Sequence, residues 1–241
     1  MNEIQYKELL ENFLHEVNSL NTIIKSSAEI LSKATKKKID NKTLKHHASI
    51  ILENSFILST QFDIVNYQLN PDFITIEKPD LRNLFGKFYK SSLSFKRMAK
   101  QKNIKINLSG KTHTLINTYP VIDTLPILII ENAIKYSLKD SDINIYFTED
   151  ENSIEIVAEN IGPKLSKEEI NKVFEKGFRG DNAIDTGELG YGFGLNFVKQ
   201  ICEIHNATCK VFSEENEFQV DGICYSNFKL VLDFPKRLIY K

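Results

Sequence analysis

The sequence predicts an α+β protein in two parts. An N-terminal antiparallel helical hairpin, completed to a four-helix bundle in a dimer, precedes a two-layer α/β sandwich. Three observations predict it. Residues 5–69 hold neither proline nor glycine and carry two heptad runs. After Asn70-Pro71-Asp72 the texture changes to strand-like alternation mixed with helical segments. The 241 residues exceed one typical domain of ~150 residues, which allows two.

The first heptad run is Leu10, Phe13, Val17, Leu20, Ile24, Ser27 and Leu31. The second is Leu44, Ala48, Ile51, Ser55, Leu58, Phe62, Val65 and Leu69. Steps of three and four place each run on one side of a helix. The polar connector Lys36–Lys42 contains Asp40 and Asn41, both good helix starters, and is short enough for a hairpin. A lone hairpin leaves its stripe half exposed, so a homodimer is expected. The expected domains are 1–70, the hairpin, and 75–241, the sandwich.

Within the second part, residues 81–102 read as helix and Ile104-Lys105-Ile106-Asn107-Leu108 as a strand. A helix is expected from about Asp123 to Ser137, with Pro126 in its first turn, where proline is tolerated. Segments 143–148 and 153–159 alternate around Glu149-Asp150-Glu151-Asn152, a hairpin signal. A short helix near 166–174, a glycine-rich stretch over 177–194, a helix from about 194 to 205, and strands near 208–213 and 223–234 complete the pattern. Helices with antiparallel strands suggest two layers.

Composition narrows the function. Lys+Arg total 31 against Asp+Glu 32, a net charge of −1, so no global basic field exists to hold nucleic acid. The most apolar run, Leu125–Ile130, is six residues, far short of a membrane span. The acidic start MNEIQYKELLENF lacks a signal-peptide pattern. Cys202, Cys209 and Cys224 show no CxxC spacing and read as core thiols in a reducing compartment. The expected location is cytoplasmic, without a membrane span.

Two motifs carry chemistry. Glu131-Asn132-Ala133-Ile134-Lys135-Tyr136-Ser137 falls on a helix, and Gly190-Tyr191-Gly192-Phe193-Gly194-Leu195 ends where another helix opens. The third glycine sits where a phosphate meets free N–H groups and the positive end of a helix dipole. Asn132 offers a hard amide oxygen for Mg²⁺, which takes one or two protein ligands and completes its shell with phosphate oxygens and water. Lys135 can reach the same phosphates.

Together these motifs resemble the ATP-binding domain shared by gyrase, heat-shock chaperones, mismatch-repair ATPases and histidine kinases, the Bergerat type. Between them, Glu159-Asn160-Ile161-Gly162-Pro163-Lys164-Leu165 and Val173-Phe174-Glu175-Lys176-Gly177-Phe178-Arg179-Gly180 are similar to the adenine loop and phenylalanine-bearing segment of histidine kinases. The resemblance covers nearly all of 75–235, and 177–194 would be the nucleotide lid. It implies ATP and Mg²⁺ as cofactors. The nucleotide set it implies is Asn132 as metal ligand, with Lys135, Tyr136, Asn160, Gly162, Arg179, Gly190, Gly192, Gly194 and Leu195. For Arg179 a solvated charge is an equal alternative, and for Tyr136 the alternative is packing into the core. Phe174 and Phe178 read as core and lid packing.

The first helix carries Phe13-Leu14-His15-Glu16-Val17-Asn18-Ser19-Leu20, which resembles the phosphoacceptor segment of sensor histidine kinases. With Leu10 at heptad position a, His15 falls at f, the outermost. The resemblance implies autophosphorylation of His15 from Mg-ATP, with Glu16 orienting the imidazole or acting as base, and transfer to an aspartate of a response-regulator receiver domain. Pro71 and its neighbours would serve as hinge. The signal is expected either through an upstream sensory protein partner or within a larger system of which this chain is the catalytic part. The chain departs from the family pattern at Asn160, normally Asp, at Lys164, normally Gly, and at Leu128 and Leu20. Leu128 cannot activate water, which disfavours gyrase-like hydrolysis. The rival readings are a degenerate kinase acting as a docking switch, favoured by Asn160 and Lys164, and a phosphatase of a phosphorylated regulator, suggested by Ser19. His46 and His47 read as surface residues, His113 as a loop residue and His205 as a helix end.

Overall fold

A computed structural model describes residues 3–34, 40–70, 77–188 and 190–236. The chain divides into two compact units, Met1–Phe73 and Ile74–Lys241. The expected hinge at Pro71 and most of the Lys36–Lys42 connector lie outside the described residues.

The first unit is a helical hairpin of α1 (Glu3–Ala34) and α2 (Asn41–Leu69). Asp40 caps α2, accepting from the Thr43 backbone N–H at 2.8 Å and from its hydroxyl at 2.7 Å. The α1 stripe packs inward, with Leu20 and Ser27 buried. On α2 the inward row is instead Ile50, Asn54, Ile57, Gln61 and Ile64, one step around from the heptad run. The run is therefore left half exposed, Leu44 at 48% and Phe62 at 46%. Phe62 still meets Phe13 edge-on at 5.3 Å. His47 departs from the surface reading: it is half-buried, its Nδ1 3.4 Å from the Ser27 hydroxyl.

The second unit is a five-stranded sheet covered by helices. Its strands are β2 (Lys105–Ser109), β4 (Asp142–Glu149), β5 (Ser153–Pro163), β6 (Thr208–Val220) and β7 (Ile223–Pro235), in the order β2-β4-β5-β7-β6. The β2–β4 pair is parallel and the others antiparallel. A separate two-stranded ribbon joins β1 (Asp80–Arg82) to β3 (Ile116–Thr118). The helices are α3 (Leu84–Ser94), α4 (Lys96–Gln101), α5 (Leu125–Tyr136), α6 (Lys167–Lys172), α7 (Asp181–Asp185) and α8 (Gly194–Ile204).

The helix expected over 81–102 is two helices. Fully buried Phe95 ends α3 and begins α4, and its own burial fixes the bend. β6 runs to Val220, longer than its alternation suggested, while β7 lies where it was expected. They meet at Asp221-Gly222, both with positive φ of 52° and 83°, as a tight Asp-Gly hairpin requires. The core gathers Phe88, Phe95, Phe197, Phe234, Ile130 and Ile134, all fully buried. All three cysteines are free, with Cys202 buried.

His205 is a strut in this core. Fully buried at the end of α8, it donates from Nδ1 to the Ile201 carbonyl at 2.7 Å. Its Nε2 accepts from the Tyr119 N–H at 3.0 Å, tying α8 to the turn that leads into α5. The Nε2 bond requires the neutral ring, since a protonated Nε2 cannot accept, and burial holds the ring's pKa below the ordinary value against the Ile201 bond, which favours the charged form. Below about pH 6.5 the unfolded chain takes up a proton that the folded ring refuses, so stability falls as pH drops through that range. Denaturant melts at pH 7.5 and 5.5 are expected to show this loss, and His205→Gln removes its share of the slope while costing about 2 kcal/mol at neutral pH.

Candidate nucleotide and phosphoacceptor sites

The nucleotide motif is assembled by α5, β5 and the segment before α8. Helix α5 buries Leu125, Leu128, Ile129, Ile130, Ala133 and Ile134 against the sheet. The opposite side of the helix holds Asn132, Lys135 and Tyr136, spaced three and four apart and half-exposed. Among the described residues no hydrogen bond engages the Asn132 amide, so its oxygen is open to a cation. Lys135 extends toward the glycine-rich segment, with Nζ 5.5 Å from the Tyr136 ring centre.

Strand β5 alternates so that Ile154, Ile156, Ala158, Asn160 and Gly162 form its buried face. Asn160 is the polar member of that row, near the strand end where the Leu138 N–H reaches the Ile161 carbonyl at 3.0 Å. At Gly162 a Cβ would lie 3.2 Å from the Asn160 amide nitrogen and 3.9 Å from the Tyr136 carbonyl. The structure thus brings Asn160, Gly162 and the end of α5 together.

The glycines differ in what they serve. Gly192 has φ +71°, and a Cβ there would lie 2.3 Å from the Phe178 carbonyl oxygen and 2.6 Å from the Gly177 carbonyl carbon. Its bareness lets two lid strands of chain touch, and the Gly177 N–H donates to the Gly192 carbonyl at 3.2 Å. At Gly190 a Cβ would lie 2.5 Å from the Lys135 ammonium, which can move aside. At Gly194, the first residue of α8, nothing lies within 4 Å of such a Cβ. The fold itself does not need a glycine at 194, and bare backbone there would let an anion approach the helix N-terminus. Gly194→Ala is expected to leave stability within about 0.5 kcal/mol and to weaken ATP binding at least about tenfold. Gly192→Ala is expected to lower thermal stability as well. Melting curves and nucleotide titrations of both variants check the pair, and equal ATP affinity in Gly194→Ala would take that backbone away from the phosphates. Leu195 follows in the first turn of α8, half-buried.

Arg179 engages the lid's own backbone. Its Nη2 donates to the carbonyls of Ala183 at 3.0 Å and Glu188 at 2.8 Å, while its Nε is buried without a hydrogen-bond partner among the described residues. Asn182 clamps the lid to the sheet, donating to the Lys164 carbonyl at 2.9 Å and accepting from the Cys224 N–H at 3.3 Å. Lys164, the departure from the glycine of the adenine loop, turns its ammonium to Glu217 on β6.

Sequence reasoning missed a charged network beneath the lid. Lys102 donates to the Lys135 carbonyl and pairs with Glu188 at 2.7 Å, linking the end of α4 to the lid. Burial pushes the Glu131 carboxyl above its ordinary pKa, with Lys135 opposing that rise. No local motif marks Lys102, whose partner is 86 residues away.

On the hairpin, His15 is exposed on α1, and no hydrogen bond engages its ring among the described residues. Glu16 is half-buried and accepts from the Gln61 amide of α2 at 2.9 Å. Gln61 was also missed; its only signal is its place on the inward row of α2. Ser19 is exposed one turn beyond His15.

Residues 127–235 match the family of histidine kinase-, DNA gyrase B- and HSP90-like ATPases. The sensor protein CiaH of Streptococcus pneumoniae is 22% identical over 208 residues, covering 85% of this chain and 46% of CiaH. The histidine protein kinase SaeS of Staphylococcus aureus is 24% identical over 211 residues, 86% of this chain and 60% of SaeS. The chain thus spans about half the length of the curated relatives it matches. In fold it is similar to the histidine kinase ThkA solved with the response regulator protein TrrA, at TM-score 0.56 and 19% identity over 95% of this chain and 61% of that one. The α+β architecture is that of histidine kinase ATPase domains preceded by helices, and the chain resembles sensor histidine kinases in sequence. Among the described residues no helix is long and apolar enough to cross a membrane.

Proposed function

We propose that this chain, whose residues 127–235 carry the histidine kinase-, gyrase- and HSP90-like ATPase domain, is the catalytic core of a protein histidine kinase that phosphorylates its own His15 from Mg-ATP. The observation that carries the reading is the pairing of two features. One is an exposed, unengaged imidazole on a helical hairpin; the other is an ATPase domain whose Asn132 amide and Gly194 backbone are open.

Mg-ATP supplies the phosphoryl group when bound. Asn132 holds the cation, Lys135 and the N–H groups at the start of α8 meet the phosphates, and Asn160 accepts from the adenine amino group beside Gly162. Tyr136 packs beside them, and Arg179 shapes the lid through Ala183 and Glu188. His15 must be neutral to present a ring nitrogen lone pair, and its other N–H needs an acceptor to hold the tautomer. Glu16, fixed by Gln61, is the neighbouring acceptor. Catalysis is otherwise positioning and charge neutralisation. Leu128, buried on α5, offers no base for water.

The partner of the phosphorylated ring is the aspartate of a response-regulator receiver domain, supported by the fold shared with the ThkA that was solved with TrrA. A second copy covers the outer apolar residues of the hairpin, among them Leu14 at 55% and Leu44 at 48% exposure. The signal arrives through a sensory protein, and the protein works in the cytoplasm.

Purified protein incubated with γ-labelled ATP and Mg²⁺ tests the reading. Incorporated label that is lost in acid and survives alkali supports it. ATP binding without incorporation contradicts it.

A further inference from the structure

We propose that the groove between α3–α4 and the open side of β2 binds an acidic, extended peptide segment of a partner protein as an added sheet strand. Three independent features meet there.

The first is an unused strand edge. Among the described residues β2 ends the sheet order and pairs with β4 alone. The Lys105 N–H points to that neighbour, toward the Ser141 carbonyl at 3.4 Å. Backbone groups alternate sides along a strand, so those of Ile106 and Leu108 face the open side. Ile104, on the same phase, confirms the direction: its N–H leaves the sheet for the Ala99 carbonyl of α4 at 2.9 Å. Beyond that point the edge runs on along the groove.

The second is shape. The groove has a volume of about 1000 Å³, floored by β2 and walled by α3. Tyr89 and Leu93 stand on that wall with half their surface exposed, and Tyr89 stacks on Phe85 at 6.5 Å. The five residues of β2 match a peptide of about five to seven residues at ~3.3 Å each.

The third is charge. Lys96, Lys100, Lys105 and Lys111 line the groove, and among the described residues no acidic side chain does, in a chain of net charge −1. The nearest acids are engaged. Asp140 accepts from Asn103 at 2.6 Å, Asp142 lies 3.4 Å from the Asn107 amide, and Glu149 is held by Lys236 at 2.7 Å. Lysines along an open edge repel the same edge of a second copy. They attract a strand of opposite sign, whose main chain gives affinity and whose alternate side chains give register. The fitting segment alternates Asp or Glu with Val or Ile, its apolar side chains under Tyr89 and Leu93. None of the groove's lining residues belongs to the nucleotide set.

The test titrates the full chain with a fluorescein-labelled seven-residue peptide of alternating Glu and Val, read by anisotropy. Expected are saturable binding, weakening with added salt, and a loss of at least about tenfold in Lys100→Glu/Lys105→Glu, which keeps its ATP affinity. A peptide N-methylated along one edge is expected to lose binding, and the Ile106 and Leu108 amides to gain hydrogen-exchange protection with the parent peptide. The proposal is overturned if the peptide does not bind, if the N-methylated peptide binds as well as the parent, or if single-stranded oligonucleotide displaces the peptide and binds more tightly.

Discussion

His15→Gln protein is expected to take up no label from γ-labelled Mg-ATP while binding ATP as the wild type does. The expectation is complete loss, because the reaction has one nucleophile and glutamine supplies none. The variant isolates chemistry from folding. His15 is exposed on α1, with no hydrogen bond to its ring among the described residues. Substitutions at such positions stay within about 0.5 kcal/mol. Glutamine is a better helix former than histidine and keeps a polar outer side. The candidate nucleotide site belongs to the other unit, Ile74–Lys241. Label remaining at the wild-type level would move the acceptor elsewhere.

Asn132→Ala is expected to cut labelling at least about a hundredfold and to remove the Mg²⁺ dependence of ATP binding. The fold has no stake in this amide. It is half-exposed on α5, and no described residue bonds to it. Alanine is the best helix former, so the helix is not weakened. Asn132→Asp provides the second variant, retaining size and an oxygen ligand but adding a charge beside Glu131. Calorimetric titration with ATP, with and without Mg²⁺, reads the binding; wild-type behaviour in both variants would take Asn132 out of the mechanism.

The long helices were legible because their heptads are uninterrupted, and on α1 the packing follows the heptad. What the heptad could not tell was which flank of α2 faces α1. The inward row contains Asn54 and Gln61, and an apolar count ranks such a row below the true outer stripe. Gln61 matters through Glu16, a partner 45 residues away. The strands β4, β5 and β7 alternate clearly because the helix layer buries one face of the sheet. β1 and β3 are three residues each, too short for any period to register. The break at Phe95 has no proline or glycine to announce it, since a buried aromatic ring bends the chain through tertiary contact.

The nucleotide motif was readable because bare backbone and a lone amide leave a spacing in the chain. The sequence could not separate glycines that serve the fold from those that serve a ligand. Gly192 answers to Phe178 and Gly177, whereas Gly194 answers to open space. Nor could it place Arg179 on the lid carbonyls, His205 between two helical segments, or Lys102 against Glu188. Each of these depends on residues brought together only by the sheet.

The proposed function requires one exposed imidazole on the hairpin to accept the phosphoryl group from nucleotide bound by the sandwich. Peptide mapping by mass spectrometry, kept at neutral to alkaline pH after exposure of the wild-type chain to Mg-ATP, tests it most directly. The expected result is an addition of about 80 Da, one phosphoryl group, on the peptide containing His15, with the fragment ions placing it on the ring. A phosphoryl group on Ser19 or another hydroxyl, or an unmodified His15 peptide from protein that binds ATP, would contradict it.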